Sequence, residues 1–151
     1  MATAPQQNLP LFYNEIEPLS SAAHGDWKAR GLEAAPFLAK AHAVPLTIEE
    51  FTLAQRHFPI VFSSGPDPVP LALMGLNEGV NVFVDDEGKL TSEIYVPAYV
   101  RRYPFMLARL RPDSEELSLC FDPTSGALGE FDEGNALFEG TDPSQTTKDI
   151  L

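Results

Sequence analysis

Apolar positions along the chain come in short runs cut by proline and glycine. Ile60-Val61-Phe62 is apolar and β-branched, and the turn-rich Ser63-Ser64-Gly65-Pro66-Asp67-Pro68 separates it from Val69 to Leu76. Asn77-Glu78-Gly79 is a turn signal, Val80 to Val84 reads as the next strand, and Asp85-Asp86-Glu87-Gly88 turns the chain into Lys89 to Tyr95. These runs predict three or four strands with tight connections, an antiparallel meander. Strands resume at Phe105 to Leu110 and Glu116 to Phe121, joined by a hairpin at Pro112-Asp113-Ser114. Helical spacing is rarer. Thr47 and Glu50 stand three apart, as in a capping box, and Ile48, Phe51 and Ala54 make one face of a helix to about His57, stopped by Pro59. A second short helix is expected around Asp26 to Leu32. The expected fold class is α+β: an antiparallel sheet of about five to six strands, with short helices packed on one face or end.

The same pattern divides the chain. Residues 1–10 are polar and irregular, a flexible arm, and Leu9-Pro10-Leu11-Phe12-Tyr13 is an apolar patch suited to docking on the body. Residues 11–122 form the main domain. Residues 123–151 are an acidic, glycine-containing tail, with Ala136-Leu137-Phe138 as its compact apolar piece and a helix start at Asp142-Pro143-Ser144.

One stretch stands out: Tyr95-Val96-Pro97-Ala98-Tyr99-Val100-Arg101-Arg102-Tyr103-Pro104-Phe105. Pro97 suits a first helical position, where its missing N–H is no loss. Pro104 disfavours the α conformation at Tyr103 and marks a stop. Between them fits a helix of about two turns. Tyr95, Tyr99 and Tyr103 recur every four residues, so they share or continue one face. Arg101 and Arg102 point about 100° apart, so one small anion is not gripped by both. Two readings follow. In one, the tyrosines pack and the arginines pair with the chain's acids. In the other, Tyr95, Tyr99, Arg101, Arg102 and Tyr103 form a binding site for a carboxylate- or phosphate-bearing ligand or an acidic partner segment.

Composition narrows the field. The chain has 151 residues, enough for one domain with a real core. Its 14 prolines and 10 glycines favour short elements and many turns. Ten Lys and Arg against 22 Asp and Glu give a net charge of −12, which repels phosphate backbones and makes nucleic acid an unsuitable partner. No run approaches the roughly 18 apolar residues of a membrane span, and no basic segment leads into an apolar one as in a secretory signal. The expected location is the cytoplasm, with surface export by another route left open. Cys120 is alone, so no intrachain disulfide forms, and no cation near it in sequence would activate the thiol.

Catalytic and metal signatures are absent from the sequence. His24, His42 and His57 follow no ligand spacing. Asp85-Asp86-Glu87-Gly88 lacks the alternating ligands of a calcium loop and reads as a solvated turn. Gly75 and Gly79 read as turn glycines. No nucleophile elbow, phosphate loop or dinucleotide fingerprint occurs. No catalytic residue, metal or cofactor is assigned.

Several segments together resemble a bacterial family, the SapC-like proteins. They are Val44-Pro45-Leu46-Thr47, His57-Phe58-Pro59-Ile60-Val61-Phe62, Val69-Pro70-Leu71-Ala72-Leu73-Met74-Gly75-Leu76, Asn81-Val82-Phe83-Val84-Asp85, and Leu119-Cys120-Phe121-Asp122. Gly134 to Phe138 and, most specifically, Tyr95 to Phe105 complete the set. The resemblance runs from about Leu9 to the end. It implies a helical C-terminal part in other members, so the chain is expected to be a short member or a fragment. The family takes its name from a surface-layer protein and is distinct from a membrane permease of the same name. Similar genes stand near outer-membrane receptor and flavin-dependent halogenase-like or hydroxylase-like genes, which implies an accessory role. The resulting expectation is a non-enzymatic protein- or peptide-binding accessory of a bacterial surface, uptake or modification system. Two alternatives stay open. One is an enzyme acting on a peptide or small acid, with His57 as base near Arg101 or Arg102. The other is a structural subunit of a surface layer.

Overall fold

The computed structural model describes residues 9–151. The arm expected at residues 1–10 lies outside them apart from Leu9 and Pro10. The chain divides into two compact units, one of Met1–Gly31 with Tyr103–Leu151 and one of Leu32–Arg102. Both combine short strands with short helices, an α+β class.

In the Leu32–Arg102 unit, strand Pro70–Leu73 lies between Ala43–Pro45 and Ile60–Phe62, antiparallel to both. Val44 opposes Ala72, which opposes Ile60. Val44 and Ala72 are fully buried, together with Leu38, Ala54, Phe58 and Met74, and the Phe58 and Phe83 rings meet at right angles with centroids 4.9 Å apart. The expected strands at Val80–Val84 and Lys89–Tyr95 are replaced by a single bridge, Val84 to Leu90. The reason lies in Asn81. Its buried amide Nδ2 donates to the Leu38 and Ala41 carbonyls, both at 3.1 Å, and its Oδ1 accepts the Phe83 N–H at 2.9 Å. These side-chain bonds and scattered backbone bonds, such as Val82 N–H to the Met74 carbonyl and Thr91 N–H to that of Phe83, hold the segment without a continuous ladder. Val80 and Val82 face solvent. The third strand is Ala43–Pro45, which the sequence pattern did not mark as a strand.

That helix forms as expected, though in two pieces: a 3₁₀ turn Ile48–Glu50 continuing as helix Phe51–Ala54. The turn at Asp85 is held by its own side chain, which accepts N–H bonds from Glu87 and Lys89 at 3.0 and 2.9 Å. The Tyr/Arg element is one helical turn, Ala98–Arg101, shorter than the two turns expected. Pro97 is its N-cap, with ψ 145°, and is not a helical residue. Its carbonyl receives the Val100 and Arg101 N–H groups.

In the other unit, strand Ser118–Phe121 lies between Glu17–Pro18 and Phe105–Ala108. A second sheet sets Lys28–Ala29 between Leu128–Gly129 and Asn135–Ala136. A two-stranded ribbon, Phe138–Glu139 with Asp142–Pro143, precedes helix Gln145–Ile150, whose N-cap Ser144 accepts the Thr147 N–H. The core holds Phe105, Phe121, Ala127, Leu128 and Leu137, flanked by Leu19, Trp27 and Ile150. Lys28–Ala29 is a strand where sequence reading expected a helix, and the helix here is Ser21–His24.

The single sheet of five to six strands is therefore resolved into sheets of three, three, three and two strands. Proline explains the fragmentation. Pro18, Pro45, Pro70 and Pro143 each begin or end a strand, and a residue with no N–H cannot carry the ladder further. Among the described residues, no helix is long and apolar enough to cross a membrane.

Candidate functional site

The site is assembled around one carboxylate. Glu50 is the third residue after Thr47, and its Oε2 turns back to the Thr47 N–H at 2.8 Å and hydroxyl at 3.2 Å. This is half of the capping box that the spacing predicted. The other oxygen, Oε1, accepts the Ala98 N–H at 2.6 Å and the Tyr95 hydroxyl at 2.9 Å. One side chain thus caps two helices, its own and the Tyr/Arg turn. Glu50 is 6% exposed. Burial pushes its pKa up, but the Ala98 and Thr47 N–H groups and the Tyr95 and Thr47 hydroxyls together hold it below the usual value.

Tyr95 links this anchor to the surface. Its hydroxyl donates to Glu50 and accepts from Arg101 Nη2 at 3.3 Å. The Arg101 guanidinium stands 5.7 Å from the Tyr95 ring centroid, and that of Arg102 stands 4.1 Å from the Tyr99 ring. Burial first, then the Glu50 bond and charge, raise the Tyr95 pKa, with Arg101 opposing. Both arginines are exposed. Each rests on its own tyrosine, as expected for neighbours projecting in different directions.

Tyr103 has partners of its own. It belongs to the other unit, where its ring meets that of Tyr13 edge-on with centroids 5.3 Å apart. Its hydroxyl is 3.5 Å from Oδ2 of the fully buried Asp122. Asp122 also receives the Asn14 N–H at 2.7 Å and both the N–H and hydroxyl of Thr124. Burial, then the charge and bond of Asp122, push the Tyr103 hydroxyl to about 12. The four-residue spacing of the tyrosines implied a shared face. Tyr95 instead precedes the helical turn and Tyr103 follows it, because the helix spans only Ala98–Arg101.

A cleft of about 380 Å³ opens beside Tyr95, lined by Leu53, Arg56, His57, Glu93 and Ile94. One wall is the end of helix Phe51–Ala54 with the turn to His57, and the other is residues 93–95. Sequence reading placed His57 at the end of its helix and named it as the base of the enzyme alternative. Arg56 and Glu93 went unnoticed, since neither sits in a motif. The other histidines do not line this cleft. His24 is buried against Trp27 and Phe121, and its Nδ1 accepts the Ser20 N–H, which places its proton on Nε2 towards Glu17. The His42 carbonyl receives the Met74 and Gly75 N–H groups. Cys120 is fully buried, and burial raises its thiol pKa, the opposite of activation.

The family model described as SapC matches residues 19–151. The chain belongs to the SapC family. Its match takes in both the Glu50 anchor and the Tyr/Arg turn, and the resemblance drawn from residues 44–138 is thereby shown. No curated protein and no solved structure matches this SapC chain.

Proposed function

We propose that this SapC-family chain is a non-enzymatic binding protein for a protein or peptide partner, serving as an accessory of a bacterial surface, uptake or modification system in the cytoplasm. The observation that carries the reading is the anchored Tyr/Arg surface. Glu50 caps the helical turn and fixes Tyr95, and Tyr95 and Tyr99 each carry an exposed guanidinium. Tyr and Arg are the residue types that dominate binding hot spots, and side chains held before binding lose less entropy on it. Exposed guanidinium groups on an acidic protein select for carboxylates in the partner. The binding residues are Tyr95, Tyr99, Arg101 and Arg102. Tyr103, the fifth residue of the expected set, also bonds Asp122.

The test is the double variant R101A/R102A in affinity capture from the native host. The variant should lose the captured partner while its denaturation midpoint stays close to that of the parent, since both arginines are exposed. Unchanged capture with a steep fall in stability would overturn the reading.

A further inference from the structure

The cleft beside Tyr95 has a composition that the Tyr/Arg surface does not explain. Arg56, His57 and Glu93 are all exposed along it, and among the described residues none of the three takes part in an ion pair. Leu53, 47% exposed, and the half-buried Ile94 and Tyr95 add an apolar wall. Arg101 touches Tyr95. Glu50 is nearby in the network, but its two oxygens are already occupied by four donors. Glu93 is thus the one carboxylate lining the cleft and Arg56 the one formal cation, with Arg101 adjacent through Tyr95. In a chain of net charge −12, a cleft whose lining carries no net formal charge, with an arginine outside any ion pair and an apolar wall, is where an anion meets little repulsion.

We propose that this cleft binds a peptide carboxylate flanked by an apolar or aromatic side chain. Arg56 receives the carboxylate, His57 adds a donor, and Leu53, Ile94 and Tyr95 take the apolar group. A volume of about 380 Å³ is enough for one such residue, at the small end of ligand pockets. The proposal rests on the binding reading above and names the chemistry of the segment that the partner inserts.

The experiment is a nuclear magnetic resonance titration of the full chain with N-acetylphenylalanine, N-acetylphenylalaninamide and sodium acetate. N-acetylphenylalanine should give saturable shifts at His57, Ile94 and Tyr95. The amide and acetate should each bind about tenfold more weakly, and R56Q should weaken N-acetylphenylalanine about tenfold, the loss of roughly one charge-assisted bond. E93Q should tighten it, which provides a gain of binding that misfolding cannot mimic. R109Q, in the other unit, should change nothing. Equal binding of acid and amide, no effect of R56Q with E93Q, or shifts that never saturate would overturn the proposal. If R101A/R102A abolishes partner capture while R56Q and N-acetylphenylalanine leave it intact, the cleft assignment fails and the wider binding reading stands. If N-acetylphenylalanine binds as described but R101A/R102A leaves capture intact, the Tyr/Arg reading fails and the cleft stands.

Discussion

Glu50 shows how much one residue can organise. Replacing it with Ala removes the acceptor for the Ala98 and Thr47 N–H groups and the Tyr95 hydroxyl, at a buried carboxylate whose partners are part-buried. We expect E50A to lose about 2–4 kcal/mol of stability in urea denaturation, within the range for bonds to a buried charged group. The pH dependence has a definite sign. The folded pKa of Glu50 lies below its ordinary value of 4.5, so its contribution is complete above pH 4.5 and declines as pH falls towards the folded value. E50Q should flatten that acid limb of the stability curve. Tyr103 acts at the other end. Its folded pKa of about 12 exceeds its ordinary 10, so its contribution is complete below pH 10 and is lost as pH rises towards 12. Ultraviolet titration should show a late-ionising tyrosine that Y103F removes.

Elements in this chain are as short as its prolines allow, and their positions were legible where local chemistry sets them. The Thr47–Glu50 spacing marked a helix start, a β-branched run marked Ile60–Phe62, and apolar runs between turn residues marked Pro70–Leu73 and Ser118–Phe121. The segment from Val80 to Tyr95 was misread because alternation of apolar residues is also what a side-chain-pinned loop can show. Asn81 decided the matter through carbonyls some 40 residues away in sequence, at Leu38 and Ala41. The turn at Gly88 depends on the same packing. Its φ is +81°, and a Cβ there would stand 2.2 Å from the Pro36 backbone nitrogen. G88A should therefore cost about 1–3 kcal/mol, read as a fall in the denaturation midpoint. G79A, with φ +78° but open space around it, should cost less.

At the scale of the whole molecule, net charge and core placement dominate. At −12, self-repulsion opposes the compact state at neutral pH, and added salt screens it. The melting temperature should rise between low and physiological ionic strength, and solubility should pass through a minimum near pH 4.5, the isoelectric point. A melting temperature insensitive to salt would mean that the acids are neutralised locally. Core residues come from far apart in the chain: Phe105 and Phe121 pack with Ala127, Leu128 and Leu137. The sequence marked Ala136-Leu137-Phe138 as an apolar piece among glycines and acids. That Leu137 is wholly buried there depends on strands that bring it against residues over a hundred positions earlier, such as Lys28–Ala29.

The amino-acid sequence by itself determined the family, the α+β class, the turns and the proline-limited length of each element, because these follow from local dihedral limits and from recurring residue patterns. It also singled out the Tyr/Arg stretch. Only the tertiary structure decided how that stretch is used. Helical periodicity placed three tyrosines on one face, but Pro97 stands outside the helix and Tyr103 lies past its end. The partners that give each tyrosine its role, Glu50 and Asp122, come from 45 and 19 residues away. Such contacts are satisfied only when distant segments meet, and no local spacing encodes them.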